Sequence, residues 1–151
     1  MAKLIIEERL RSEKRKVSVM FSDLVGFTSY SEDRSPELVV QDLNSYLSAM
    51  EPILLDYRGH IDKYLGDGIM CEFGAPLDYE NFRLLAVVAG IKMQEKITRL
   101  DYPWQMRIGI ASGPAIMGII GSRRQAYTTI GDVVNLASRI EKSCPPGAVL
   151  V

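Results

Sequence analysis

His60 to Phe73, HIDKYLGDGIMCEF, is the stretch on which the fold turns. Two apolar runs rich in β-formers, His60 to Leu65 and Ile69 to Phe73, flank Gly66-Asp67-Gly68. An Asp-Gly pair between such runs is the chemistry of a tight hairpin loop, because both residues accept a left-handed backbone. The reading is a β-hairpin with the Asp67 carboxylate at its tip.

Working outward, Arg58-Gly59 ends a helix that begins at Ser35-Pro36-Glu37, where a capping side chain precedes a proline in the first turn. Val39, Leu43, Tyr46, Leu47, Met50 and Leu54 recur along it at helical spacing, and Pro52 predicts a kink late in its course. Before it, Val17 to Asp23 reads as a strand ending at Asp23, and Leu24 to Ser29 supplies a glycine bend at Gly26. The charged stretch from Lys3 to Lys16 has too few apolar residues for a heptad. Residues 1–16 are therefore expected to be a helical linker from an upstream region, and residues 17–151 a single folded domain.

On the far side of the hairpin, Tyr79 to Leu100 reads as a second amphipathic helix and Gly131 to Ser143 as a third. Between them, Gln105 to Ala111 and Ala115 to Ile120 read as two strands about a Ser112-Gly113-Pro114 turn. The order strand, helix, hairpin, helix, strands, helix predicts an α+β fold. Its plan is a ferredoxin-like βαββαβ sheet with helices on one face.

Composition narrows the function. The length of 151 residues suits a single core, and 47% hydrophobic with 25% charged residues is the balance of a globular domain. The formal net charge of −1, with acidic and basic residues interleaved, lacks the basic face that nucleic acid requires. Cys71 and Cys144 stand far apart and outside any metal-binding spacing, which fits a reducing, cytoplasmic setting. The longest apolar run, Leu84 to Ile91, is far short of the roughly 18 residues that span a bilayer.

Asp23 at a strand end and Asp67 at a hairpin tip could meet at one edge of a central sheet, an arrangement that suits hard divalent cations and a reacting phosphate. Taken singly, each is also an ordinary loop or turn aspartate. Gly26, Phe27 and Thr28, between a strand and a helix, offer backbone N–H groups to phosphate without forming a Walker loop or a GxGxxG fingerprint. Asn135 and Arg139 lie one turn apart on the same helix face. Lys63 precedes the hairpin tip, and His60 has no partner that would give it a catalytic task.

Three blocks carry a resemblance: Phe21 to Thr28 (FSDLVGFT), Lys63 to Gly68 (KYLGDG) and Tyr127 to Arg139 (YTTIGDVVNLASR) are similar to the class III adenylate and guanylate cyclases, in the same order. Arg107 to Gly121, RIGIASGPAIMGIIG, resembles that family's strand-turn-strand segment. The resemblance implies that Asp23 and Asp67, with the Leu24 carbonyl, hold two Mg²⁺ or Mn²⁺ ions, and that the Gly26-Phe27-Thr28 backbone binds the terminal phosphates. It further implies that Lys63 and Thr128 select the purine, that Asn135 orients the ribose and that Arg139 stabilises charge as the 3′-hydroxyl attacks the α-phosphate.

Lysine with threonine implies ATP, and hence an adenylate cyclase making cyclic AMP. The Lys63 ammonium can donate to adenine N1 and the Thr128 hydroxyl can accept from the N6 amino group. Threonine also implies kinship with the bicarbonate-responsive subgroup. Because that family builds its site from two protomers, the resemblance implies a head-to-tail homodimer. Pro114 stands where some members carry a phosphate-facing arginine, and the family's phosphate-binding lysine lies beyond residue 151, so the domain is expected to be incomplete at its C-terminus. Two other readings stay open: a guanylate cyclase, and a catalytically silent cyclase-like module that dimerises and binds nucleotide. A diguanylate cyclase would need a GGDEF-type hairpin in place of Gly66-Asp67-Gly68.

Overall fold

The computed structural model describes residues 12–151. β1 (Glu13–Val25) is followed by a short α1 (Phe27–Glu32), the long α2 (Pro36–Asp56), and the hairpin β2 (His60–Leu65) and β3 (Gly68–Phe73). Then come α3 (Phe82–Arg99), β4 (Gln105–Ile120), β5 (Ala126–Ile130), α4 (Asp132–Ser143) and β6 (Val149–Leu150). The strands form one sheet in the order β2-β3-β1-β4-β5, with β6 parallel to the first half of β4 and every other pair antiparallel. This is the α+β ferredoxin-like plan with β5 and β6 added.

Local chemistry explains the elements. α2 starts where expected: the Ser35 side chain accepts from the Leu38 N–H at 3.3 Å, Pro36 sits in the first turn, and the helix runs through Pro52 to Asp56. The hairpin forms with Asp67 at its tip, but its two-residue loop is Gly66-Asp67 rather than an Asp-Gly pair: Gly66 takes the left-handed backbone at φ +63°, and Gly68 opens β3 opposite Leu65.

β1 alternates between two buried faces. Met20 and Leu24 join Tyr46, Met50 and Leu54 of α2 and Ala86, Ala89 and Met93 of α3 in one core. Val17 and Val19 join Val133 and Ala137 of α4 in another. The helices therefore divide between the faces, two against one, where a single covered face was expected. Apolar residues lie on both faces of β1, Val17, Val19 and Phe21 on one and Met20 and Leu24 on the other, a pattern that does not by itself say which elements cover each face.

Two further expectations are corrected. Ser112-Gly113-Pro114 is not a turn. β4 runs unbroken past it, paired to β1 from Gln105 opposite Val25 to Met117 opposite Glu13. Proline is tolerated because β5 begins to pair with β4 only at Ile116, which leaves one side of Pro114 free of a sheet neighbour. Ser112 is held by a hydroxyl–hydroxyl hydrogen bond to Ser18 of β1. The linker expected over residues 1–16 falls largely outside the described residues, and its end, from Glu13, is strand, paired residue by residue with β4.

The sheet also curls until its edge strands meet. The Thr128 hydroxyl of β5 reaches Asp62 of β2, and the His60 Nε2 donates to the Tyr127 carbonyl at 3.4 Å. His60 also packs edge-on against the Tyr127 ring, so it pins β5 to β2. Among the described residues, no helix is long and apolar enough to cross a membrane.

Candidate active site

Asp23 is on β1 and Asp67 in the β2–β3 loop, and the register of the sheet brings them together. β3 lies beside β1, so the hairpin tip sits over the end of that strand, where Ser22 pairs with Ile69. At Gly68 an added Cβ would lie 2.6 Å from the Ser22 carbonyl oxygen and 3.8 Å from the Asp23 Cβ. Only glycine lets the loop approach this closely. Burial and then the neighbouring Asp23 charge raise the Asp67 carboxyl above its ordinary value.

Asp23 does not stand alone. Arg107, its direct neighbour across the β1–β4 ladder, grips both carboxylate oxygens: Nε is 3.1 Å from Oδ1 and Nη2 is 3.0 Å from Oδ2. The third nitrogen donates to the Lys142 carbonyl at the end of α4 at 3.3 Å. Glu141, buried on the inner face of α4, completes the cluster, and burial followed by the adjacent Asp23 raises its carboxyl toward the protonated form. These two residues were missed in the sequence. Arg107 carries no sign of its register with Asp23, but Glu141 does leave a signal, since Val133, Ala137 and Glu141 fall at helical spacing on the buried side of α4.

The donor set fits hard cations. Both side chains are carboxylates, and they repel each other. No group of three or more His, Cys, Asp or Glu side chains gathers around a metal position among the described residues, so further ligands would be backbone oxygens such as that of Leu24, water or nucleotide. Gly26, at φ +89°, starts α1 without a side-chain cap, which leaves the first N–H groups of that helix unpaired by any side chain. Phe27 is buried and its ring packs edge-on against Trp104 with centroids 5.1 Å apart, so the side chain is occupied in the core.

The other predicted residues fall into two groups. Lys63 and Thr128 are gathered around one carboxylate: the Thr128 hydroxyl lies 2.8 and 3.0 Å from the two oxygens of Asp62, and the Lys63 ammonium 3.6 Å from the nearer one to it. Glu72, fully buried, lies behind Asp62 and accepts from the Thr129 hydroxyl at 2.7 Å. Burial, and then Asp62, push the Glu72 carboxyl up to about 10, so at neutral pH it is an acid whose O–H faces Asp62. That proton accounts for the Oε2 atom, which has no partner if the group is ionised. Asn135 and Arg139 are exposed on α4, with no side-chain hydrogen bond or ion pair among the described residues.

Fold and paired aspartates define the class of protein, a nucleotidyl cyclase catalytic domain. The family model for the adenylate and guanylate cyclase catalytic domain matches residues 10–151, and the chain belongs to that family. It is similar to guanylate cyclase 32E of Drosophila melanogaster, at 33% identity over 84% of this chain and 12% of that protein's length. Among solved structures it superposes on the guanylyl cyclase Cya2 with a TM-score of 0.88 at 37% identity, covering 92% of this chain and 75% of that one. The adenylyl cyclase CyaB from P. aeruginosa matches equally well, with a TM-score of 0.88, 37% identity, and 93% and 78% coverage. Overall similarity therefore does not distinguish the two purines.

Proposed function

We propose that this domain is an adenylate cyclase, converting ATP to 3′,5′-cyclic AMP and pyrophosphate. The observation that carries the reading is the pairing of Lys63 and Thr128 around Asp62, in a chain whose Asp23 and Asp67 meet at one sheet end.

In this reading Lys63 donates to adenine N1 and Thr128 accepts from the N6 amino group, while a guanine would set its N1–H donor against the lysine. Asp23, Asp67 and the Leu24 carbonyl would hold two Mg²⁺ or Mn²⁺ ions, whose positive charge supports ionisation of the 3′-hydroxyl and offsets charge on the phosphates. The Gly26, Phe27 and Thr28 N–H groups hold the terminal phosphates. The 3′-hydroxyl gives its proton to solvent water, its oxygen bonds to the α-phosphorus, and the bond to pyrophosphate breaks. Asn135 holds the ribose so that the 3′-oxygen is in line. Arg139, with donors in a fixed fork, stabilises the charge on the transferring phosphate, so its loss lowers turnover more than binding.

Asn135 and Arg139 are exposed and have no hydrogen bond or ion pair with the aspartates of their own protomer, which supports a head-to-tail homodimer in which each site takes its halves from two chains. Ile116, Ile119, Ile120 and Ile130, all exposed on the β4–β5 arm, offer apolar surface for that contact.

Cyclic nucleotide formation from ATP and from GTP, assayed with Mn²⁺, tests the proposal. Cyclic AMP should predominate and should be lost in Asp23→Ala. Equal or greater yield of cyclic GMP, or activity that survives in Asp23→Ala, would overturn it.

A further inference from the structure

Lys63 and Thr128 belong to strands at opposite edges of the sheet, and what joins them is Asp62. β2 carries a bulge there: Ile61 is opposite Cys71 and Lys63 opposite Met70, which leaves Asp62 as the extra residue with no partner on β3. A bulge re-aims a side chain, and this one turns the Asp62 carboxylate under β5, where the side chain is 1% exposed. Both of its oxygens are within hydrogen-bond distance of the Thr128 hydroxyl, at 2.8 and 3.0 Å.

A hydroxyl has one hydrogen and two lone pairs, and a free threonine rotor serves as donor or acceptor as its neighbour demands. Left free, Thr128 would accept from a 6-amino group or donate to a 6-oxo group and would discriminate little. The Asp62 carboxylate, ion-paired with Lys63, can only accept. The single hydrogen of Thr128 is therefore committed inward, and the half-buried oxygen turns only lone pairs toward the outside.

We propose that Asp62 is a specificity-determining positioning residue: by taking the Thr128 hydrogen it makes that hydroxyl an obligate acceptor, which selects a purine bearing an amino donor at C6. The inference rests on the reading of Lys63 and Thr128 as the base-binding pair. Glu72 supports the arrangement from behind, since its acid proton faces the same carboxylate and Thr129 holds its other oxygen at 2.7 Å. A base without the amino donor leaves the Thr128 lone pairs unmatched, worth roughly tenfold in affinity at a partly buried site.

The test is displacement of a fluorescent N-methylanthraniloyl-ATP, in Ca²⁺, by ATP and by purine riboside 5′-triphosphate. The second nucleotide keeps N1 as an acceptor and lacks only the C6 amino group, so the ratio of the two affinities isolates the Thr128 contact from that of Lys63. The wild type should favour ATP about tenfold. Asp62→Asn, whose amide can donate to Thr128 and turn its hydrogen outward, should bring the ratio near one, and Asp62→Ala, which frees the rotor, should reduce it. Thr128→Val should abolish the preference, and adding Asp62→Asn to it should change nothing further.

Melting temperatures of the variants separate misfolding from altered recognition. A wild type that favours ATP together with Asp62→Asn and Asp62→Ala variants that keep the full preference overturns the role of Asp62 and leaves the proposed function standing. A wild type without preference, or without affinity for either nucleotide, refutes the proposed base pair and this inference with it.

Discussion

Replacing Glu72 by glutamine should make the domain more stable at neutral pH. Glu72 is wholly buried, and burial followed by the Asp62 carboxylate lifts it from an ordinary 4.5 to about 10. A carboxyl whose folded value is raised keeps its full contribution below its unfolded value and loses stability as pH rises from there through the folded value. Between about pH 4.5 and pH 10, folding must therefore draw one proton onto Glu72. The cost is roughly 1.4 kcal/mol per pH unit, or about 3 kcal/mol at pH 7.

Glutamine removes this cost without removing the contacts, because its amide oxygen can accept from Thr129 and its amide N–H can face Asp62. Urea unfolding followed by circular dichroism from pH 5 to pH 8 should show Glu72→Gln ahead of the wild type by a margin that widens with pH. The margin should close as pH falls toward 4.5. A variant less stable than the wild type at pH 7, or a margin that does not change with pH, would refute the assignment of a buried acid at this position.

Two further substitutions probe the frame of the site. In Gly109→Ala the new Cβ would fall 2.2 Å from the Glu141 backbone nitrogen and push α4 off the sheet, a loss of about 3 kcal/mol, whereas Gly113→Ala meets only ordinary contacts with Val133 at 3.7 Å and should be tolerated. Thermal melts of the pair decide this, and equal effects would count against it. Arg107→Ala should leave Asp23 and Glu141 facing each other without their cation. With both members of the Arg107–Asp23 pair 29% exposed, the loss should be about 1 kcal/mol and smaller in high salt, with Arg107→Lys intermediate because one ammonium cannot span both oxygens. Urea midpoints that show no loss in the alanine variant would contradict the pairing.

Much of this architecture was legible in local chemistry. The glycine-flanked Asp67 between two apolar runs, the Ser35-Pro36-Glu37 start of α2 and the apolar spacing along it are short-range instructions, and each produced the element expected. The β4 reading failed because Ser112-Gly113-Pro114 has turn composition, while the chain there is held straight by the thirteen-residue β1 strand beside it. Propensity at three residues is a weak preference, and a continuous ladder overrides it. The helix distribution failed for a similar reason: a strand with apolar residues on both faces does not reveal that the face of Val17 and Val19 is covered by α4.

The candidate site divides along the same line. Residue types and order alone picked out Asp23 and Asp67 as candidate cation ligands, and the resemblance added roles for Lys63, Thr128, Asn135 and Arg139. Which groups hold those residues was decided by the tertiary structure. Arg107 meets Asp23 because β4 pairs with β1 in one register, and Asp62 meets Thr128 because a bulge turns its side chain while the curled sheet brings β5 over β2. Glu72 is the one charged residue in the buried strand β3, and its protonation follows from burial beside a second carboxylate. Hydrophobic pattern and turn chemistry act between residues close in the chain and are written in the sequence. The hydrogen of a hydroxyl and the proton of a buried acid answer to whatever the fold places within 3 Å or so, and only the folded chain decides that.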